Sequence, residues 1–142
     1  MDVHSPEQRS YNMSRIKGKN TKPELIVRKW LWSQGYRYRL HRKDLPGKPD
    51  IVFSGRKKVI FVHGCFWHKH NCRYFKWPET NPEFWKKKIN ENVRRDQKNY
   101  QDLIADGWHY FVVWECEIRQ KDTNVFDLLR EFIEKPDFKY KQ

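Results

Sequence analysis

Lys58-Val59-Ile60-Phe61-Val62-His63-Gly64-Cys65-Phe66-Trp67-His68-Lys69-His70-Asn71-Cys72 decides how this chain folds. Lys58 to Val62 reads as an extended segment that runs into a loop where cysteines stand beside histidines. Towards the N-terminus, Asp50 to Phe53 is a second extended segment. Ser54-Gly55 between the two marks a hairpin. Towards the C-terminus, Asn81-Pro82 opens a long helix that ends at Asp106-Gly107, and a strand follows from Trp108 to Trp114. Strand 58–62, helix 82–106 and strand 108–114 form a right-handed βαβ crossover. The fold class is therefore α/β, a mixed central sheet flanked by helices.

The remaining elements extend this unit without dividing it. A first helix is expected from Ser5, with Pro6 in its first turn, to about Ile16. A second opens at Thr21-Lys22-Pro23-Glu24, which has the spacing of a capping box. Leu25, Ile26, Trp30 and Leu31 are expected on one face, and Gly35 ends the helix. An extra strand is placed near Tyr36 to Leu40, and a last helix runs from about Asp122 to Glu134. No repeat or linker interrupts the 142 residues, so 1–142 reads as a single domain, with 1–20 an N-terminal helix and 117–142 a C-terminal helical segment.

Thirty Lys and Arg against eighteen Asp and Glu give a net charge of +12, which makes a polyanion the first partner to consider. Seven tryptophans and an aromatic content of 16% exclude a disordered polycation. The longest apolar run, Tyr110 to Trp114, is too short to cross a bilayer, and Met1-Asp2-Val3-His4 carries no apolar targeting core. The expectation is a monomeric cytoplasmic protein that binds nucleic acid and no membrane.

Parallel strands put their C-terminal ends on one edge of a sheet. Cys65 follows the first of the crossover strands and Cys116 the second, so the chain carries Cys116 towards the loop of Cys65, His68, His70 and Cys72. Three cysteines are an odd number for a disulfide framework. Three thiolates and one imidazole make a closed tetrahedral set, the donor chemistry of a structural zinc ion. Spacing leaves open which of His68 and His70 is the ligand.

The hairpin brings a second convergence to the same edge. With Phe53 facing Val59, Asp50 lies opposite Val62, beside the start of the histidine loop. A carboxylate there can hold Mg2+ together with a backbone carbonyl, water filling the other positions. His68 or His63 would deprotonate that water or serve a leaving group. On the long helix, Trp85, Ile89, Val93, Asp96, Tyr100 and Leu103 follow steps of three or four, so Asp96 belongs to the stripe facing the sheet. A carboxylate on that face needs a partner, either an arginine or a histidine whose ring it would orient. Glu24 is explained by its capping role alone.

Phe66, Trp67, Tyr74, Phe75, Trp77, Phe84 and Trp85 are interleaved with Lys69, Arg73, Lys76, Lys86, Lys87 and Lys88. Rings stack on or wedge between bases while cations neutralise phosphates. Phe84 is expected in the core. Phe66 and Trp67 are adjacent in a loop, so at least one of them should project.

Four motifs resemble the very-short-patch repair (Vsr) endonucleases: Leu45-Pro46-Gly47-Lys48-Pro49-Asp50, Val62-His63-Gly64-Cys65-Phe66-Trp67-His68, Asn92-Val93-Arg94-Arg95-Asp96 and Val113-Trp114-Glu115-Cys116. The similarity covers about residues 5–120. It implies a restriction-endonuclease-like fold with a zinc-stabilised loop, and Mg2+-dependent nicking of double-stranded DNA 5′ of the thymine in a T:G mispair left by deamination of 5-methylcytosine. Carried over residue by residue, Asp50 and the Val62 carbonyl would bind Mg2+, and Glu24 would act through the water shell. His68 would be the catalytic histidine, positioned by Asp96, with His63 nearby. Cys65, His70, Cys72 and Cys116 match the zinc ligands. Phe66, Trp67 and Trp85 match the rings that insert beside the mispair, and residues 1–20 would contact DNA. Phe61-Val62-His63 stands where the wider nuclease superfamily has an acid-x-Lys pair, and Lys69 and Asn71 stand where some members carry further histidines.

The expected activity is thus that of a mismatch endonuclease, with mispaired duplex DNA as substrate and other mismatch-repair proteins as candidate partners. The competing readings are a restriction-type or other-mismatch nuclease of the same fold, and a zinc-stabilised DNA-binding module without chemistry.

Overall fold

The computed structural model describes residues 20–120, 124–136 and 138. The helix expected at Ser5–Ile16 and the DNA-contacting role of 1–20 lie outside these residues. Helix α1 (Lys22–Ser33) leads into the short strand β1 (Arg39–Leu40), then β2 (Ile51–Phe53), a 3-10 turn (Ser54–Arg56) and β3 (Lys58–His63). Helix α2 (Pro82–Ala105), strand β4 (His109–Trp114) and helices α3 (Glu115–Gln120) and α4 (Val125–Glu134) follow. The sheet has the order β1-β2-β3-β4. Its first two pairings are antiparallel, and β3 runs parallel to β4. The chain is α/β with a mixed sheet, as its sequence indicates, and α2 is the crossover between the parallel strands.

Strand side chains alternate between faces, and here each face has its own core. Ile51, Phe53, Ile60, Phe111 and Val113 pack with Val27 and Leu31 of α1, Ile118 of α3 and the apolar side of α4. Val52, Val59, Phe61 and Val112 pack with Tyr100 and Leu103 of α2. Because Val59 and Phe61 meet α2, the same alternation carries His63 to the α2 side.

Three local expectations are corrected. The hairpin is shifted by one residue, since Phe53 pairs with Lys58 rather than Val59. The 3-10 turn closed by Lys57 in the left-handed region leaves Ser54 to Lys57 between the paired ends, one residue fewer than the expected pairing. On α1 the buried positions are Glu24, Val27 and Leu31, while Leu25 and Ile26 are exposed. Finally, Phe84 is 60% exposed, outside either core. The start expected near Asp122 lies outside the described residues, the last helix being described from Val125, and a separate short helix, Glu115–Gln120, precedes it.

Two tethers position the site. Leu45-Pro46-Gly47-Lys48 forms a turn closed by Lys48 N–H to Leu45 O at 3.1 Å, with Gly47 at φ +78°. A Cβ on Gly47 would lie 3.0 Å from the Phe61 ring and 3.2 Å from Asn99 Cβ, so glycine lets this loop press against β3 and α2. At the other end of β3, buried Lys58 donates to the carbonyls of Phe132, Ile133 and Lys135, which end α4.

Candidate active site and metal centre

The C-terminal ends of β3 and β4 reach one edge of the sheet, and the loop after β3 folds back over it. His70 N–H donates to Cys65 O at 2.9 Å, and His68 N–H to Gly64 O at 3.3 Å. These bonds curl the loop so that Cys65, His70 and Cys72 turn towards Cys116, at the start of α3. Ligand atoms of all four lie within 4.8 Å of one another, and Cys116 Sγ is 3.4 Å from His70 Nδ1. Arms of ~2.0 and ~2.3 Å at a tetrahedral angle give an edge of about 3.5 Å, so the set fits a tetrahedral metal ion. His70 is further held by stacking on Trp114 with centroids 4.1 Å apart. Burial pushes the Cys65 and Cys116 thiols up, an effect that a bound cation reverses.

His68 stands between two of those ligands in sequence but turns away from them. Its Nδ1 lies 2.5 Å from Asp96 Oδ2 on α2. With Nδ1–H donating to the carboxylate, Nε2 keeps its lone pair free. The His63 ring stacks on His68 at 3.6 Å and 10°, and its own Nε2 shares a 2.8 Å hydrogen bond with the Tyr100 hydroxyl. Burial and then the neighbouring His68 lower the His63 pKa well below its usual value, so His63 is neutral near pH 7. A cleft of about 430 Å³ opens onto these rings, bordered by Lys43, Lys48 and Arg95.

A second group lies at the other side of the β3 end. Asp50 Oδ2 accepts from Val62 N–H at 2.7 Å, so the carboxylate reaches Val62 despite the shifted hairpin. Glu24, which sequence spacing explains as a cap, has only 1% exposure. Its carboxylate accepts from Asn20 N–H at 3.2 Å, from Arg28 at 3.2 Å and from His41 Nε2 at 2.9 and 3.0 Å. Ligand atoms of Glu24, His41 and Asp50 lie within 4.8 Å of one another. Desolvation first, and then the facing Glu24 carboxylate, push Asp50 up to about 8. Two shielded carboxylates that resist joint ionisation are what a divalent cation relieves, and oxygen donors suit Mg2+.

The structure therefore assembles the predicted residues as two clusters. Glu24, Asp50 and the Val62 backbone form one; His63, His68 and Asp96 form the other. The Val62–His63 peptide links them. His41 and Tyr100 were given no role from sequence. Tyr100 had a usable signal, since it lies one turn beyond Asp96 on the same helix face. His41 had none: nothing in its spacing marks it, and it is its left-handed backbone (φ 49°) that places the ring.

Phe66, Trp67 and Trp85 form a third cluster with centroids 5.2 to 5.8 Å apart. All three are half-buried, so the adjacent pair packs edge to face instead of splitting between core and solvent. Phe75 and Phe84 extend the group at 6.1 and 5.2 Å.

The family model described as DNA mismatch endonuclease Vsr matches residues 1–74. The DNA mismatch endonuclease Vsr of Escherichia coli K12 is 41% identical over 133 residues, covering 94% of this chain and 85% of that protein. This chain belongs to the Vsr family. Two other relatives carry names of a related kind. The type II nicking enzyme V.XorIIP of Xanthomonas oryzae is 54% identical, with 82% of this chain and 86% of the relative covered. V.NmeAIP of Neisseria meningitidis, also named a type II nicking enzyme, is 48% identical, with 84% and 86% covered. The Vsr relationship makes this protein a DNA endonuclease. Among the described residues, no helix is long and apolar enough to cross a membrane.

Proposed function

We propose that this Vsr-family protein nicks one strand of duplex DNA 5′ of the thymine in a T:G mispair, with Mg2+ at Asp50 and the Val62 carbonyl and a structural zinc ion on Cys65, His70, Cys72 and Cys116. The observation that carries the reading is the His68–Asp96 pair at 2.5 Å, one loop beyond the Asp50–Val62 contact. Asp96 holds the His68 ring in one tautomer, and Nε2 takes the proton of the attacking water. His63, neutral and fixed by Tyr100, backs that ring without competing for charge. Mg2+ would supply charge stabilisation at the phosphoryl oxygens and a more acidic water. Glu24 would act on that ion through its water shell.

Phe66, Trp67 and Trp85 enter the duplex beside the mispair, where unstacking costs least. Trp67→Ala is expected to reduce discrimination between mispaired and paired duplex while nicking chemistry persists. Equal discrimination in the two proteins would assign that ring to packing alone.

The test is strand nicking of two labelled duplexes identical except for one T:G mispair, each with and without Mg2+. Mg2+-dependent nicking 5′ of the mispaired thymine supports the whole reading. The names of the Xanthomonas and Neisseria relatives favour a second reading, a nicking enzyme attached to a restriction system. Cleavage of both duplexes alike would move the assignment to a restriction-type nuclease without mispair preference. Binding without cleavage over a panel of flanking sequences would leave a DNA-binding module.

A further inference from the structure

The sequence contains no feature that singles out His41, yet its ring stands at the metal-facing edge of the sheet. His41 N–H donates to Asp50 O at 3.0 Å, extending the β1–β2 ladder by one position. From there the left-handed backbone swings the imidazole onto Glu24, with Nε2 2.9 and 3.0 Å from the two carboxylate oxygens. Arg28 occupies one of those oxygens at 3.2 Å, and Asn20 N–H the other at 3.2 Å. Asp50 is held by Val62 N–H. One ligand atom from each of Glu24, His41 and Asp50 thus lies within 4.8 Å of the others. Adjacent ligands of a six-coordinate ion are separated by ~3 Å, so a small inward movement brings His41 and Asp50 onto one ion.

We propose that His41 is a nitrogen ligand at the Asp50 metal site, so that the site takes Mn2+ in preference to Mg2+. This rests on the reading above that a divalent cation binds at Asp50. Mg2+ is a hard ion that favours oxygen donors and keeps its water, whereas first-row transition ions gain from a neutral imidazole. The Asp50 carboxylate and the His41 imidazole on one side of an ion, with Glu24 reaching it through water, leave its other positions open for water and a phosphate oxygen.

The experiment uses the zinc-loaded full chain without DNA, with Mn2+ as the probe. Electron paramagnetic resonance counts bound Mn2+ and its displacement by Mg2+, and electron spin-echo modulation reports nitrogen-14 on the metal. The expected result is one Mn2+ displaced only by an excess of Mg2+ of about tenfold or more, with nitrogen coupling present. His41→Gln should lose that coupling and weaken Mn2+ by about tenfold or more, with a much smaller change for Mg2+. His68→Ala should keep the coupling, which excludes the nearby histidine as its source. Mn2+ that depends on Asp50 but shows no nitrogen coupling in the wild-type protein would overturn the proposal and leave His41 a hydrogen-bond donor to Glu24. Mn2+ binding that is absent, or that survives Asp50→Asn, would overturn the metal reading of Asp50 itself.

Discussion

His68 and Asp96 show how a single pair can be isolated from a crowded loop. In sequence the residue lies between two cysteines of the Cys/His cluster, yet its own partner comes from α2. His68→Ala should therefore keep zinc and fold while lowering nicking by about 10²- to 10⁴-fold, the usual worth of a positioned proton acceptor. Zinc content by elemental analysis beside a nicking assay checks this, and loss of zinc would exchange the roles given to His68 and His70. Asp50 yields a pH dependence. Its folded pKa, pushed up to about 8, lies above the value of a free carboxyl. Its stabilising contribution in the Mg2+-free protein is thus fully present below about pH 4 and is lost as pH rises through about 8. Thermal unfolding in Mg2+-free buffer should show wild type losing stability relative to Asp50→Asn between pH 5 and 8. Parallel curves for the two proteins would contradict that sign.

Elements differ in how openly their sequences declare them. The α2 stripe was readable because Ile89, Tyr100 and Leu103 keep helical spacing, and the same count put Asp96 on the inner face. The motif Leu45–Asp50 was readable as a loop, but its reason is visible only in three dimensions: Gly47 touches Phe61 and Asn99, which come from β3 and α2. Gly47→Ala should cost about 1–2 kcal/mol, since it adds strain at positive φ to a close contact, and should weaken nicking by shifting Asp50. Chemical denaturation and the nicking assay measure the two effects separately. The β2–β3 register was misread because a turn's length depends on left-handed Lys57, which no residue preference foretells. The α1 face was misread because buried Glu24 replaces an apolar residue: its hydrogen bonds to Asn20, Arg28 and His41 make burial tolerable, and His41 comes from outside the helix.

At the scale of the whole molecule, a net charge of +12 makes DNA affinity strongly salt-dependent, and the Cys/His cluster gathers the loop after β3 to the end of β4. That tie was legible, because two parallel strands must finish on the same edge, although the choice between the two histidines was not. Cys116→Ser should lower zinc content and loosen residues 64–77 while both cores stay folded, since α1, α2 and α4 pack on the sheet independently of the loop. Hydrogen exchange on the variant should show protection lost in that loop and kept in β3 and β4; loss throughout would make zinc a condition of folding.

The two ends of β3 also differ in what change they permit. Between Cys65 and His70 the chain carries the two rings proposed as wedges and the histidine proposed to take the proton, followed by Lys69. Inserting or deleting one position there would shift the proposed chemistry and the proposed recognition together. At the opposite end, Ser54 to Lys57 is exposed and remote from that loop. It is there that descendants of this chain can lengthen, and there that a fluorophore or tether can be placed without the nuclease registering its presence.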